Sequence, residues 1–364
     1  MNALDLAKEI ATLAGYTITG ASGADPSNKT RAFRRLNSIK SDVISRYGGR
    51  WPSQYREGWL AIVPLYSTGT ITVTNGSRTV TGSGTAWSST SHNKAKILIG
   101  GAYYKIGNVA SATSITLSQP FQGTSASSLS YQIWVDEYRL HPEVLSIGGF
   151  VDYEWQATLD ESYPRNMKVS YPLPINSELP TVYTVIGRKD MTLDSTGTVS
   201  GTINTNTLTG SGTSWLSTLE PGMEIVVGSY TYHVRSIESD TSVTLYQYLA
   251  ATITAGTSFA AKGKNCIVVR FREPTAQRIV HYWYWAKSYP LVNDIDEDWV
   301  AEIYNEVLLS GAVNKDYLDK NDVARASLSK QVYEDNIKNM KVSEDNAFTG
   351  VRTLGYDIPP EARD

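Results

Sequence analysis

At 364 residues the chain is long enough for two or three compact units, each with its own core. A formal charge of −3 excludes a global attraction to nucleic acid or anionic lipid, and a low charged fraction of 19% beside 28 Gly and 23 Tyr excludes a mainly helical middle. The single Cys266 excludes an intrachain disulfide; the first five residues lack a basic, apolar signal pattern and no apolar run approaches membrane-spanning length, so a soluble protein without a membrane partner is expected.

Leu6, Ile10 and Leu13 mark a first helix ending near Gly15, followed by a small-residue linker over 20–24. Asp25-Pro26-Ser27 starts a second helix with Phe33, Leu36, Ile39, Val43 or Ile44, and Tyr47 at helical spacing, stopped by Gly48-Gly49. Residues 27–50 hold Lys29, Arg31, Arg34, Arg35, Lys40, Arg46 and Arg50 against Asp42 alone, a net of +6, most of them opposite the apolar stripe. A strand is expected over 60–65, after which the pattern is one of short alternating strands.

Residues 69–117 and 197–245 align without a gap at a separation of 128. They share Thr81-Gly82-Ser83-Gly84-Thr85-x-Trp87 with Thr209-Gly210-Ser211-Gly212-Thr213-x-Trp215, and Gly100, Tyr104, Ser114-x-Thr116-Leu117 with Gly228, Tyr232, Ser242-x-Thr244-Leu245. Each copy reads as five or six short strands in a small barrel or sandwich. Asn75-Gly76 makes the first hairpin of copy one the clearer of the two. Candidate core residues are Trp87, Ile97, Ile99, Tyr104, Ile106, Ile115, Leu117, Tyr131 and Ile133, and in copy two Trp215, Ile225, Val227, Tyr232, Val234, Val243 and Leu245.

Between and after the copies, strands are expected near 144–147, 179–187, 265–271 and 279–286, then helices over 299–318 and 322–342, the latter carrying Leu328, Val332, Ile337 and Met340. Residues 292–364 hold sixteen acidic and eight basic side chains, a net of −8. Ends of opposite sign suggest either head-to-tail contact between copies or two solvated faces. The expected fold is α+β: a helical hairpin and C-terminal helices with a small antiparallel β core, interrupted by two similar all-β inserts. The host takes 1–68, 135–196 and 263–342, the inserts 69–134 and 197–262, and 343–364 forms an extended arm. Insertion at exposed hairpin tips predicts that both inserts lie outside the host core and that the host folds without them.

Chemistry is sparse. Asp294, Asp296 and Asp298 alternate like calcium ligands, but Trp299 and Asn305 stand where a calcium loop needs Gly and Glu, so an acidic N-cap is expected instead. The histidines at 92, 141, 233 and 281 are scattered and Cys266 sits in an apolar run, so neither a metal, a cofactor nor a thiol nucleophile is expected. The Gly-Ser-Gly motifs lie between strands and read as turns. Asp152, Glu154, Asp160 and Glu161 are close in sequence, as any acidic loop is. Tyr282-Trp283-Tyr284-Trp285 reads as a strand burying one alternate pair, and the basic helix as a subunit contact or a solvated face rather than a nonspecific lining for DNA.

With the inserts removed, Arg34-Arg35-Leu36-Asn37 in the N-terminal hairpin, Pro180-Thr-Val-Tyr183-Thr-Val-Ile-Gly187, Tyr282-Trp-Tyr-Trp285 followed by Tyr289-Pro290-Leu291, and the acidic start before Trp299 resemble the head-to-tail adaptor of short-tailed bacteriophages, also called tail tubular protein A, tail accessory or neck protein. The inserts are similar to Thr-Gly-Ser-Gly-Thr-x-Trp modules of phage virion proteins. The resemblance implies a non-enzymatic connector, twelve copies in a ring beneath the portal, assembled in the host cytoplasm and lying in the neck of the virion. Its implied partners are the portal protein, a tail nozzle or other tail protein, passing genomic DNA, and tail fibres or capsid through the inserts. It places the portal contact on the arm at Ser343, Phe348, Val351, Leu354, Tyr356 and Ile358; the charge of the second helix, separately, puts an expected channel or subunit contact at Arg31, Arg34, Arg35, Lys40 and Arg46. The alternative is a surface-binding virion component, for fibre attachment or glycan binding, in which the duplicated modules carry the ligand; a polysaccharide hydrolase stands third.

Overall fold

The computed structural model describes residues 2–15, 18, 26–88, 92, 95–135, 137–154, 156–170, 181–191, 193–271, 277–296 and 298–352. Its period-two segments pair into three seven-stranded sheets, so the fold is mostly β, and the expected α+β class with a small antiparallel core is overturned. The reason is long-range pairing. The host sheet runs β1 (Tyr55–Ile62), β21 (Arg278–Ala286), β10 (Val144–Asp152), β11 (Ala157–Glu161), β12 (Val182–Lys189), β20 (Cys266–Phe271) and β9 (Tyr138–Arg139), drawing strands from three separate stretches of chain. All neighbours are antiparallel except β11 and β12, whose parallel pairing is bridged by a crossover containing a helix, Pro164–Ser170. Val63 N donates to Tyr138 Oη at 3.0 Å, joining the end of β1 to β9 and curling the sheet around Phe150, Tyr183, Val269, Phe271, Val280 and Tyr282.

The inserts are the other two sheets. Insert 1 contributes β2 (Thr70–Val73), β3 (Thr79–Ser83), β4 (Lys96–Ile99), β5 (Ala102–Ser111), β6 (Ser114–Leu117), β7 (Ala126–Leu129) and β8 (Tyr131–Trp134), ordered β7-β2-β3-β6-β5-β4-β8. Insert 2 contributes β13 (Thr198–Gly201), β14 (Thr207–Ser211), β15 (Glu224–Val227), β16 (Tyr230–Ser239), β17 (Ser242–Leu245), β18 (Ile253–Thr257) and β19 (Ala260–Lys262), in the equivalent order. The repeated motif is explained by packing. A Cβ at Gly82 or Gly210 would collide with the Thr side chain three residues on and lie 2.8 Å from the Trp five residues on, so glycine opens the space that buried Trp87 and Trp215 fill. Thr85 Oγ1 donates to Ala112 O and Thr213 Oγ1 to Asp240 O, at 2.8 and 2.5 Å, tying each turn to the opposite hairpin. Every core residue expected in the two copies is buried or packed against the insert's core.

The helices share a separate core. In chain order, α1 (Ala3–Leu13) and α2 (Pro26–Ser45) pack with α3 (Trp299–Ile303), α4 (Asn305–Asp319) and α5 (Val323–Arg352) around Leu6, Ile10, Leu36, Ile39, Leu308 and Ile337. Asp298 caps α3, its carboxylate accepting from Val300 N at 3.1 Å, as the acidic start predicts. The single helix expected over 299–318 is broken at Tyr304, whose backbone (φ −125°, ψ 43°) leaves helical geometry. The last helix does not stop at 342: it continues to Arg352, so residues 343–352 of the expected extended arm are helical. Ile337 and Met340 are buried, whereas Leu328 and Val332 face outward.

Candidate functional site

The cations of α2 meet the acidic C-terminal helices within one chain. Asp316 of α4 is fully buried, with Arg31 at 2.9 Å, Arg35 in direct contact and Lys320 at 3.5 Å. Arg35 also pairs with Asp319 at 2.5 Å, and Lys29 with Asp294 at 2.5 Å. Buried Lys40 pairs with Asp298 at 2.9 Å and donates to Tyr289 O. Arg46 bridges Asp42 and Glu334, at 3.1 and 2.6 Å, and its guanidinium holds the Glu334 carboxyl below the usual carboxylate range. Of the five cations singled out for a channel or subunit contact, Arg31, Arg35, Lys40 and Arg46 are therefore engaged in holding α2 to its own chain. Arg34 is exposed and without an ion pair among the described residues. Their placement beside the apolar stripe, not opposite it, is what sequence periodicity missed.

Ser343 is an exposed residue of α5, Phe348 and Val351 fall on its last turns, and Leu354, Tyr356 and Ile358 lie outside the described residues. Pro180 of the resemblance lies outside them too.

A polar cleft of about 450 Å³ lies where insert 2, the host sheet and the helices meet. Glu143, buried just before β10, accepts from Tyr246 Oη at 2.5 Å and Tyr284 Oη at 3.3 Å. The Tyr289 ring lies against Tyr246 and His233, with centroids 4.7 and 4.2 Å away. Burial pushes His233 down to about 4, so its ring is neutral at pH 7, and Gln247 accepts from His233 N while facing its Nδ1 at 3.0 Å. Across the cleft, the buried Asp296 accepts from Tyr248 N, Val292 N and Asn293 N at 2.6–2.7 Å, and Asn293 Nδ2 donates to Leu249 O at 2.7 Å. Asp296 is thus a bracket between host and insert, a role its alternating acidic spacing did not signal. Apart from Tyr289 Oη, which is buried without a hydrogen-bond partner among the described residues, these polar groups are spent on one another, and their arrangement locks insert 2 to the host. Insert 2 keeps its own apolar core, as expected, but it does not hang free.

Elsewhere, Asp152 is buried and turns the chain onto Glu154 N, Glu154 pairs with Arg278, and Asp160 and Glu161 end β11 at the surface. Burial pushes the Cys266 thiol up, which keeps it protonated near neutrality. No group of three or more His, Cys, Asp or Glu among the described residues is placed to hold a metal ion, and no helix there is long and apolar enough to cross a membrane. In the Tyr282–Trp285 run both tyrosines face the core, and Trp283 lies over Gly148 and Gly149. Two surface features escaped the sequence reading. Trp59 of edge strand β1 is 69% exposed and stacks edge-on against His281, which also contacts exposed Tyr153. Along the helices, Ile303, Leu318, Val323, Leu328, Val332 and Val342 are all exposed. Neither a protein-family model nor a curated protein matches this chain.

Proposed function

We propose that the chain is a structural virion subunit, a head-to-tail adaptor that forms a ring beneath the portal and joins capsid to tail around the DNA channel. The observation that carries this reading is the outward face of α5. This helix has 30 residues, about 45 Å at ~1.5 Å per residue, and packs its Tyr333, Ile337 and Met340 side on the core. Leu328, Val332 and Val342 fall within about one quadrant of the opposite side at ~100° per residue, with Val323 at the helix start and Ile303 on α3 also exposed. A single exposed leucine needs no explanation, but a row of branched apolar residues on one helix flank fits a surface that a neighbour covers. A ring subunit has two such flanks by construction. The sequence resemblance supports the same reading.

The rival reading, a surface-binding component, loses its original support because the duplicated motif is consumed by each insert's own core; its remaining support is the exposed Trp59, Tyr153 and His281 patch. The test is to mix the chain with its cognate portal protein and measure the product by native mass spectrometry and negative-stain imaging. A closed ring is expected, adding about 480 kDa for twelve copies of a 40.0 kDa chain. A folded chain that does not associate with portal refutes the proposal.

A further inference from the structure

The inserts share one strand order, so positions 128 residues apart can be compared one by one. In insert 2 one face is covered by the host: His233 stacks on Tyr289, Tyr246 donates to Glu143, and Gln247 Nε2 reaches Pro290 O at 3.3 Å. The same backbone exists in insert 1, where Ser118 N donates to Lys105 O at 2.8 Å as Tyr246 N does to His233 O. Its surface differs. Lys105 stands for His233, Ser118 for Tyr246, Gln119 for Gln247 and Arg78 for Asn206, and all four are exposed. The face that docks insert 2 is bare in insert 1, and the host seat is already taken.

Charge says what would cover it. Residues 69–134 contain four cations, Arg78, Lys94, Lys96 and Lys105, and no Asp or Glu, so insert 1 carries +4 and the rest of the chain −7. Lys96 and Lys105 are direct cross-strand partners, where insert 2 sets Glu224 opposite His233.

We propose that this bare basic face of insert 1 is the seat for an acidic face of a second copy of the chain. The inference rests on the ring reading above and names the surface that serves it. In a ring the contact is heterologous, insert 1 of one copy against carboxylates of the next, and such head-to-tail contacts close when the rotation between copies does. Glu302 and Glu306, exposed on α3 and α4 and without a cation partner among the described residues, belong to the acidic surface on offer.

The test compares the unmodified chain with Arg78→Glu/Lys105→Glu, and with Arg78→Gln/Lys105→Gln as a milder pair should the reversal impair folding by circular dichroism. Copies bound per portal are counted by native mass spectrometry, and association of the chain alone is followed by sedimentation velocity at low and high salt. The charge-reversed chain is expected to assemble at least about tenfold more weakly, the neutral pair less so, and high salt to weaken the unmodified chain likewise. A charge-reversed chain that builds the ring at the unmodified midpoint overturns this proposal and leaves the ring reading standing. No ring from either chain refutes the ring reading and this one with it. Binding of duplex DNA that the substitutions abolish, with assembly unchanged, makes the face a phosphate-binding surface and also overturns the proposal.

Discussion

Replacing Asp316 with asparagine removes the negative charge that Arg31, Arg35 and Lys320 share, at almost unchanged volume. No cavity opens, so the effect is electrostatic. Removing one member of a buried pair costs about 3–5 kcal/mol, because the other charge stays buried without compensation. Here the lower end applies, since Arg35 keeps Asp319 at 2.5 Å and the Arg31 side chain, 41% exposed, regains water. A loss of about 3 kcal/mol in a host of this size lowers the melting temperature by about 6–12 °C. Far-UV circular dichroism near the helical minimum is the natural assay, because both inserts are built of strands and the signal reports mainly the helices. The shift is expected to be independent of protein concentration, because the partners lie in one chain. A change below about 1 kcal/mol, or one that vanishes on dilution, would show that these cations find their partners on another copy.

Three further outcomes are expected. Gly69→Ala and Gly197→Ala each place a Cβ 2.5 Å from a backbone carbonyl oxygen in a left-handed conformation, at φ +84° and +91°, so each should destabilise its own insert by about 2–4 kcal/mol in urea unfolding followed by tryptophan fluorescence, leaving the sister insert unaffected. Glu143→Ala strips Tyr246 and Tyr284 of their shared acceptor and should raise amide hydrogen exchange at 246–249 by about tenfold or more, while the core of insert 1 keeps its protection. His233 has a folded-state value near 4, below its ordinary 6.5, so its contribution is fully present above 6.5 and is lost as pH falls towards 4. Insert 2 should loosen over that window, and a His233→Gln chain should lack the corresponding slope in melting temperature against pH.

Local chemistry was legible in the sequence wherever one element decides it. The two inserts were visible from their repeat, their core residues from alternation, and the α3 cap from Asp298 before an apolar run. What was not legible depends on distant partners. Arg31 and Arg35 pair with residues more than 280 positions away, and nothing in their own helix marks Lys40 as buried and Arg34 as exposed. The host sheet was underestimated because β1, β10 and β21 each read as an isolated strand, and only their mutual registers make a curled seven-stranded sheet. Beginning the first strand at residue 60 also left Trp59 outside it. The helix beyond 342 is not marked by an apolar period because Ser343, Glu344, Asp345 and Asn346 are all polar, and the contact that anchors it there is the buried Glu344, which accepts from Ser53 N and Tyr304 Oη.

The way insert 2 is attached bears on how the chain folds. Lys189 and Cys266, on either side of insert 2, are cross-strand partners in the β12–β20 ladder, and Val63 and Tyr138, on either side of insert 1, are hydrogen-bonded. Each insert, once formed, therefore holds its two exits close together and acts as a short circuit in the chain. Pairing β1 with β21 then closes a loop of host residues alone, less than half the covalent path, and each halving eases closure by about 0.6 kcal/mol. Inserts that form from local hairpins early in synthesis would thus lower the entropic barrier to the host's longest-range pairing, and a slow-folding insert would delay the host even though it shares no apolar core with it.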